Sequence, residues 1–165
     1  LVGSEMCIRD RYSIPEVPAI ANADANRLKQ VFMNILDNAL KYSRSPSKIF
    51  VKAEFTKLDN QNFVKIAIAD QGCGISKEDL PHVKEKFYKA NVSVRGSGIG
   101  LAVTNEIVNL HHGKLEIDSQ EGKGTLVTIY LPVENSPTKN ELNDMKQNET
   151  VQDAEINEGV EINKN

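Results

Sequence analysis

Apolar positions recur at spacings of three and four in two stretches of this chain, and at spacings of two in four others. Leu28, Val31, Phe32, Ile35, Leu36 and Ala39 form the first helical stripe, and Asp24 stands where an N-cap belongs. Together they predict a helix from Asp24 to Tyr42. Ile99, Ala102, Val103, Ile107 and Leu110 form the second stripe, which predicts a helix from Gly98 to His111 that stops at Gly113 as its C′ residue. His111 and His112 close that helix, where a cation suits the macrodipole. "IFVKAEF" (49–55) and "FVKIAIAD" (63–70) alternate like half-buried strands joined by the polar turn Asp59-Asn60-Gln61. "KLEIDS" (114–119) and "TLVTIYLP" (125–132) form a second hairpin around "QEGKG", while "SKEDLPHVKEKF" (76–87) reads as short helical pieces around Pro81. The pattern predicts an α+β fold in which helices cover one face of a sheet.

Composition adds boundaries to this picture. With 165 residues, 39% hydrophobic and 26% charged, the chain suits one soluble domain. From Glu134 onward eight acids face three lysines, and the stretch has no aromatic residue, so 134–165 is expected to be a disordered acidic tail. The start, "LVGSEMCIRDRY", lacks both a signal-peptide core and a strand or helix period, so 1–13 is read as a non-native or linker segment. The compact unit is then 14–133. A net charge of −3 gives no reason to expect nucleic acid as a partner. No apolar run approaches the roughly 18–20 residues of a membrane span, so no membrane contact is expected of this segment. Cys7 and Cys73 make neither a metal spacing nor a disulfide framework, which suits a reducing, cytoplasmic setting.

Four polar constellations interrupt the apolar patterns. Asn34, Asn38 and Lys41 share one side of the first helix at the border of its apolar stripe. They either bond their amides to the sheet or a neighbouring loop, or present carbonyl oxygens to a hard cation and an ammonium to phosphate. Asp70 ends an apolar strand and is followed by Gly72 and Gly74, which suits an Asx-turn or a carboxylate aimed at a ligand's donors. "RGSGIGL" (95–101) sets three glycines where the second helix must begin. Bare backbone there lets N–H groups and the helix dipole meet an anion, with Arg95 adding charge; a flexible loop with a poor cap is the other reading. "GKGT" (122–125) joins two strands, and Thr125 matters only through its neighbours.

"NILDNALKYS" (34–43), "DQGCGI" (70–75), "FYKA" (87–90), "GSGIGL" (96–101) and "GKGT" (122–125) follow one another in order. They resemble the N, G1, F, G2 and G3 boxes of the ATP-binding domain of sensor histidine kinases. That family has the Bergerat fold, an α/β sandwich with a mixed sheet, helices packed on one face and a mobile ATP lid. The resemblance covers about residues 14–133. It implies ATP and Mg²⁺ as cofactors, with Asn38 as the metal ligand and Asn34 as its phosphate-side companion. Asn34 and Lys41 would serve catalysis, Lys41 at the phosphates, and Tyr42 would pack on the nucleotide. Asp70 would accept from the adenine amino group, Gly72, Gly74 and Ile75 would shape the base pocket, and Thr125 would support Asp70 through a water. Gly96, Ser97, Gly98, Ile99, Gly100 and Leu101 would meet the phosphates. Lys89 to Ser97 would form the lid, with Arg95 as a lid contact. One position departs from the family: Lys84 stands where the F box usually has a second phenylalanine, which bears on packing at the lid's base.

The function so implied is transfer of the γ-phosphate of Mg·ATP to a histidine on a separate dimerisation domain, and onward by phosphorelay to a response regulator. The parent kinase could be membrane-anchored. No phosphoacceptor segment precedes residue 14. An anti-sigma-factor-type serine kinase or a hydrolytic ATPase of the same fold would carry a glutamate where Asn34 stands. An ATP-gated interaction module would keep the same boxes.

Overall fold

The computed structural model describes residues 11–15, 17–43, 47–90 and 96–135. Arg95 and most of the predicted tail and leading segment therefore lie outside the described residues.

The chain runs through β1 (Arg11–Ser13), α1 (Ala25–Tyr42), β2 (Ile49–Leu58), β3 (Gln61–Asp70), α2 (Gly100–Leu110), β4 (Lys114–Gln120) and β5 (Gly124–Pro132). Five strands form one mixed sheet in the order β1-β2-β3-β5-β4. β1 runs parallel to β2 and every other pairing is antiparallel. β1 falls in a stretch with no strand period in sequence: three residues are too few to show one, and only the neighbouring strand defines it. The β2–β3 strands are longer than predicted and need only Asp59 and Asn60 to turn, with φ of 47° and 66°. Two successive left-handed residues make the type I′ turn that matches strand twist, and Asp and Asn tolerate it.

Alternation sorts the sheet into two faces. Ile49, Val64, Ile68, Leu115, Val127, Ile129 and Leu131 point to the side where Val31, Ile35 and Ala39 of α1 and Ile107 and Val108 of α2 bury their stripes. Each such aliphatic side chain contributes roughly 1.5–3 kcal/mol through removal from water. The other face carries polar pairs: Lys65 pairs with Glu54 at 2.9 Å, and Tyr130 donates to Glu116 at 3.2 Å. Helices thus cover one face of the sheet.

α1 begins as predicted, because Asp24 Oδ1 accepts from Asn26 N and Arg27 N at 2.9 and 3.0 Å. α2 begins two residues later than its apolar stripe predicts, at Gly100, with Ile99 as an N-cap that offers no side-chain bond. Its end differs as well. His112, not Gly113, takes the left-handed C′ position (φ 55°), and it donates to Asn109 O while Gly113 N donates to Val108 O, both at 2.9 Å. This is a Schellman motif. Gly113 is needed for another reason: a Cβ there would lie 2.4 Å from Tyr130 O. His111 is no dipole-compensating cation. Its Nε2 accepts from Asp24 N at 3.0 Å and its Nδ1 faces Ile107 O at 2.8 Å, a geometry only the neutral ring satisfies. The ring thus ties the end of α2 to the start of α1.

The stretch 76–87 holds hydrogen-bonded turns rather than helical pieces. Bonds such as Leu80 N to Ser76 O and His82 N to Asp79 O close single turns that Pro81, lacking an N–H, prevents from propagating. Ser76 Oγ donates to Asp79 Oδ2 and accepts from Asp79 N. Lys84 pins the stretch to the sheet by donating from Nζ to Leu115 O of edge strand β4 at 2.8 Å. At the link between β1 and α1, Asn135 accepts from Ile20 N and donates to Pro18 O, each at 2.8 Å, and Glu134 N donates to Ile20 O at 2.8 Å.

Two predictions follow from the α2 terminus and the Lys84 bond. His112→Gly should raise stability by about 1 kcal/mol, because a left-handed non-glycine residue costs roughly that much, whereas Gly113→Ala should lower it; thermal unfolding of both variants checks the assignment. Lys84→Met keeps the apolar stem and loses the charge-assisted bond, so urea unfolding should show a loss of about 1–2 kcal/mol. Wild-type stability in that variant would mean that the bond contributes nothing.

Candidate functional site

A cleft of about 590 Å³ opens between the polar edge of α1, the loop after β3, the 76–90 stretch, the start of α2 and the β4–β5 hairpin. Its size is that of a typical small-molecule site.

α1 supplies Asn34, Asn38, Lys41 and Tyr42 to one wall. Asn34 Nδ2 donates to Gly100 O at 3.3 Å and to Thr104 Oγ1 at 3.4 Å. A carbonyl can only accept, so the amide nitrogen must face α2, and its oxygen is left for the cleft. Both sequence readings of this residue therefore hold: it bonds a neighbouring element and lines the site. Asn38, one turn on, lines the cleft as well. Lys41 sits at the rim, 3.9 Å from Asp37 and about half exposed. Burial, and then the nearby Cys73, push the Tyr42 hydroxyl above its ordinary range.

The loop after β3 builds the deep end. Ser43 bridges Gly72, Cys73 N donates to Tyr42 O at 3.0 Å, and Gly122 N donates to Cys73 O at 2.7 Å. The loop is thus gripped between the end of α1 and the β4–β5 hairpin. That grip explains its glycines. A Cβ on Gly74 (φ 67°) would lie 2.0 Å from Gln120 O, and one on Gly72 would lie 2.6 Å from Tyr42 O. Protein packing, more than ligand approach, demands them. Asp70 Oδ1 accepts from Gly72 N at 2.8 Å, the Asx-turn of one sequence reading, and from Thr125 N at 3.3 Å. Burial pushes the Asp70 carboxyl above the ordinary carboxylate range, and the two backbone N–H donors offset part of that rise. Both of these donors reach Oδ1, and the residue lines the cleft. Thr125 meets Asp70 directly through its backbone N–H.

Gly96, Ser97, Gly98, Gly100 and Leu101 line the opposite end. Gly98 takes φ 71°, and its carbonyl accepts from Phe87 N at 2.9 Å. Gly96 has nothing within 4 Å of an added Cβ, and Gly100 has only Asn34 Cγ at 3.9 Å, so the surrounding protein does not require glycine at either position. Tyr88 Oη donates to Asp79 Oδ1 at 2.5 Å and holds the Asp79 carboxyl below its ordinary range.

Most of the sequence-predicted residues converge on this one cleft. Gly72 stands behind it as a buried support, Ile99 caps α2 beside it, and Arg95 lies outside the described residues, as do positions 91–94 of the expected lid. Sequence reasoning missed Asp79, Tyr88 and Ser119. Ser76-x-x-Asp79 is a local capping pattern that could have signalled the first. Tyr88 acts through Asp79, nine residues away, and Ser119 through Ile75, Gly124 and Thr125 in other elements, which no local pattern marks.

Residues 23–135 match the family model described as histidine kinase-, DNA gyrase B-, and HSP90-like ATPase. Sporulation kinase E of Bacillus subtilis is 39% identical over 120 residues, which is 73% of this chain and 15% of that protein. Sensor histidine kinase WalK of the same organism is 33% identical over 124 residues, 73% of this chain and 20% of that protein. The chain thus spans a fifth or less of the length of these relatives. Among solved structures, the mycobacterial sensor histidine kinase MprB superposes with a TM-score of 0.64 at 29% identity, covering 77% of this chain and 84% of that one. With its mixed five-stranded sheet, its two helices on one face and the ordered boxes around a single cleft, this chain belongs to the histidine kinase-, DNA gyrase B- and HSP90-like ATPase family.

Proposed function

We propose that this chain is the ATP-binding catalytic domain of a sensor histidine kinase. In this reading it holds Mg·ATP and presents the γ-phosphate to a histidine on a dimerisation domain, from which a response regulator is phosphorylated. The observation that carries the reading is a partly buried carboxylate at one end of the cleft and a helix start without a side-chain cap at the other, with two asparagines and a lysine between them. The names of the relatives support the kinase assignment.

Asp70 accepts a hydrogen bond from an amino group on the base, and its low-dielectric surroundings make the match selective. Gly74, Ile75 and Tyr42 wall the base. The open backbone at Gly96 and Gly100 lets the first N–H groups of α2 meet phosphate oxygens, where the helix dipole favours negative charge. Lys41 adds an ammonium at the rim. The donor set fits a hard cation, since the freed oxygen of Asn34 and the side chain of Asn38 are neutral oxygen ligands of the kind Mg²⁺ takes beside phosphates. Bound there, Mg²⁺ would supply neutralisation of the triphosphate charge. The residues here orient the triphosphate for in-line attack, and Asn34 stands where a general base would have to be: it is an amide and cannot take a proton. Transfer to an acceptor nitrogen is therefore favoured over hydrolysis. The same amide argues against a serine kinase or ATPase of this fold.

Thermal shift with ATP, ADP and GTP, with and without Mg²⁺, checks the reading. ATP and ADP should stabilise the domain, more so with Mg²⁺, while GTP should not; equal stabilisation by GTP would overturn the role of Asp70. Because burial raises the folded-state value of Asp70, the ionised carboxylate opposes folding at neutral pH, and that cost disappears as pH falls below the ordinary carboxylate range. Asp70→Asn should accordingly stabilise the free domain near neutrality, by an amount that vanishes in acid, and yet lose ATP binding. Wild-type ATP affinity should begin to fall at a pH above the ordinary carboxylate range, as the group protonates. With γ-labelled ATP the chain should label itself hardly at all and release phosphate slowly, and a dimerisation domain from a parent kinase should become labelled at histidine.

A further inference from the structure

We propose that Ser119 is a positioning residue that fixes the Thr125 hydroxyl as a hydrogen-bond acceptor beside Asp70, and so helps to reject bases with an oxygen in place of the amino group. The inference rests on the adenine-nucleotide reading above and extends it to a residue outside the family-like boxes.

Ser119 lies opposite Thr125 in the β4–β5 pairing, on the helix-covered face of the sheet. Three polar atoms converge on its single oxygen. Ile75 N donates to it at 2.9 Å, Gly124 O lies 2.8 Å from it, and Thr125 Oγ1 lies 2.9 Å from it. A serine hydroxyl has one proton and two lone pairs. The carbonyl of Gly124 has no proton to give, and two acceptors 2.8 Å apart with no hydrogen between them repel. The Ser119 proton must therefore point at Gly124 O. Ile75 N–H takes one lone pair, and the other accepts the Thr125 hydroxyl proton. Ser119 is thereby saturated, and the direction of the Thr125 proton is settled.

The consequence falls on the cleft, which Thr125 lines. With its proton committed to Ser119, Thr125 Oγ1 has only lone pairs left to offer. Its own backbone N–H is committed to Asp70 Oδ1 at 3.3 Å. The carboxylate and the hydroxyl oxygen therefore form a two-acceptor edge. The 6-amino group of adenine can give one N–H to each acceptor; a 6-oxo purine sets its O6 against the same edge and has a single donor there, N1–H, so at least one of the two acceptors is left facing an acceptor, which is the costly case. Ser119 touches no base itself. It acts through Thr125, and by accepting from Ile75 N it also sets the loop that Asp70 begins.

Binding of ATP and of inosine triphosphate to the whole chain tests this, because the two differ only in the 6-substituent and in the proton that N1 carries in inosine. Ser119→Ala frees the Thr125 hydroxyl to turn and donate, so the ratio of the inosine to the adenosine Kd should fall about tenfold, equivalent to about 1.4 kcal/mol. Ser119→Thr keeps a hydroxyl and should keep the wild-type ratio. In a Thr125→Val background the hydroxyl is gone, and adding Ser119→Ala should leave the ratio where Thr125→Val alone puts it. A Ser119→Ala variant that binds ATP and keeps the wild-type ratio would overturn the proposal. So would an equal fall in ratio with and without Thr125, which would mark a loosened loop instead. Failure of the wild-type chain to bind ATP would overturn the nucleotide reading and this inference with it, and circular dichroism of each variant separates that from misfolding.

Discussion

The architecture of the cleft depends on keeping one carboxylate, Asp70, largely out of water at the end of a central strand. An ionised group there is expensive unless backbone donors reach it, and two do, from Gly72 and Thr125. Those two donors come from different segments, so satisfying the carboxylate fixes the loop after β3 and the start of β5 in one arrangement. The close approach in turn leaves no room for side chains: a Cβ on Gly124 would sit 2.0 Å from Asp70 O. Burial of the charge, the glycines and the grip of the hairpin are one constraint seen from three residues.

A second constraint joins the two helices. Asn34 reaches from α1 to the first carbonyl of α2, and His111 reaches from the end of α2 to the N-cap N–H of α1. Each helix thus bonds the start of the other through a side chain of its own, and His111 satisfies an N–H that has no partner within α1. This leaves the start of α2 oriented by α1 rather than by a cap of its own, consistent with the absence of a side-chain bond at Ile99. The polar edge of α1 and the open end of α2 are held as facing surfaces.

Much of this was legible in the chain because it is written in short periods. The α1 stripe with Asp24 before it, and the alternation of β2, β3 and β5, carry local signals, and the structure follows them closely. The ordered boxes located the cleft because each is a compact run of residues with backbone or polar duties. What escaped is non-local or stereochemical. β1 exists only through pairing with β2. The left-handed residue at the end of α2 is a histidine, although glycine stood next to it, because Gly113 was already required by its closeness to Tyr130. Lys84, unusual for its box, makes sense only once Leu115 O is seen beside it. The saturation of Ser119 depends on three partners, none of them in its own strand.

The clasp at Asn135 has a mechanical meaning. One side chain holds the backbone at Pro18 and Ile20, in the link between β1 and α1, so the end of β5 is tied to a segment that precedes both helices. A pull applied after Asn135 is therefore met first by these polar bonds, before it reaches the strand ladders on either side of β5.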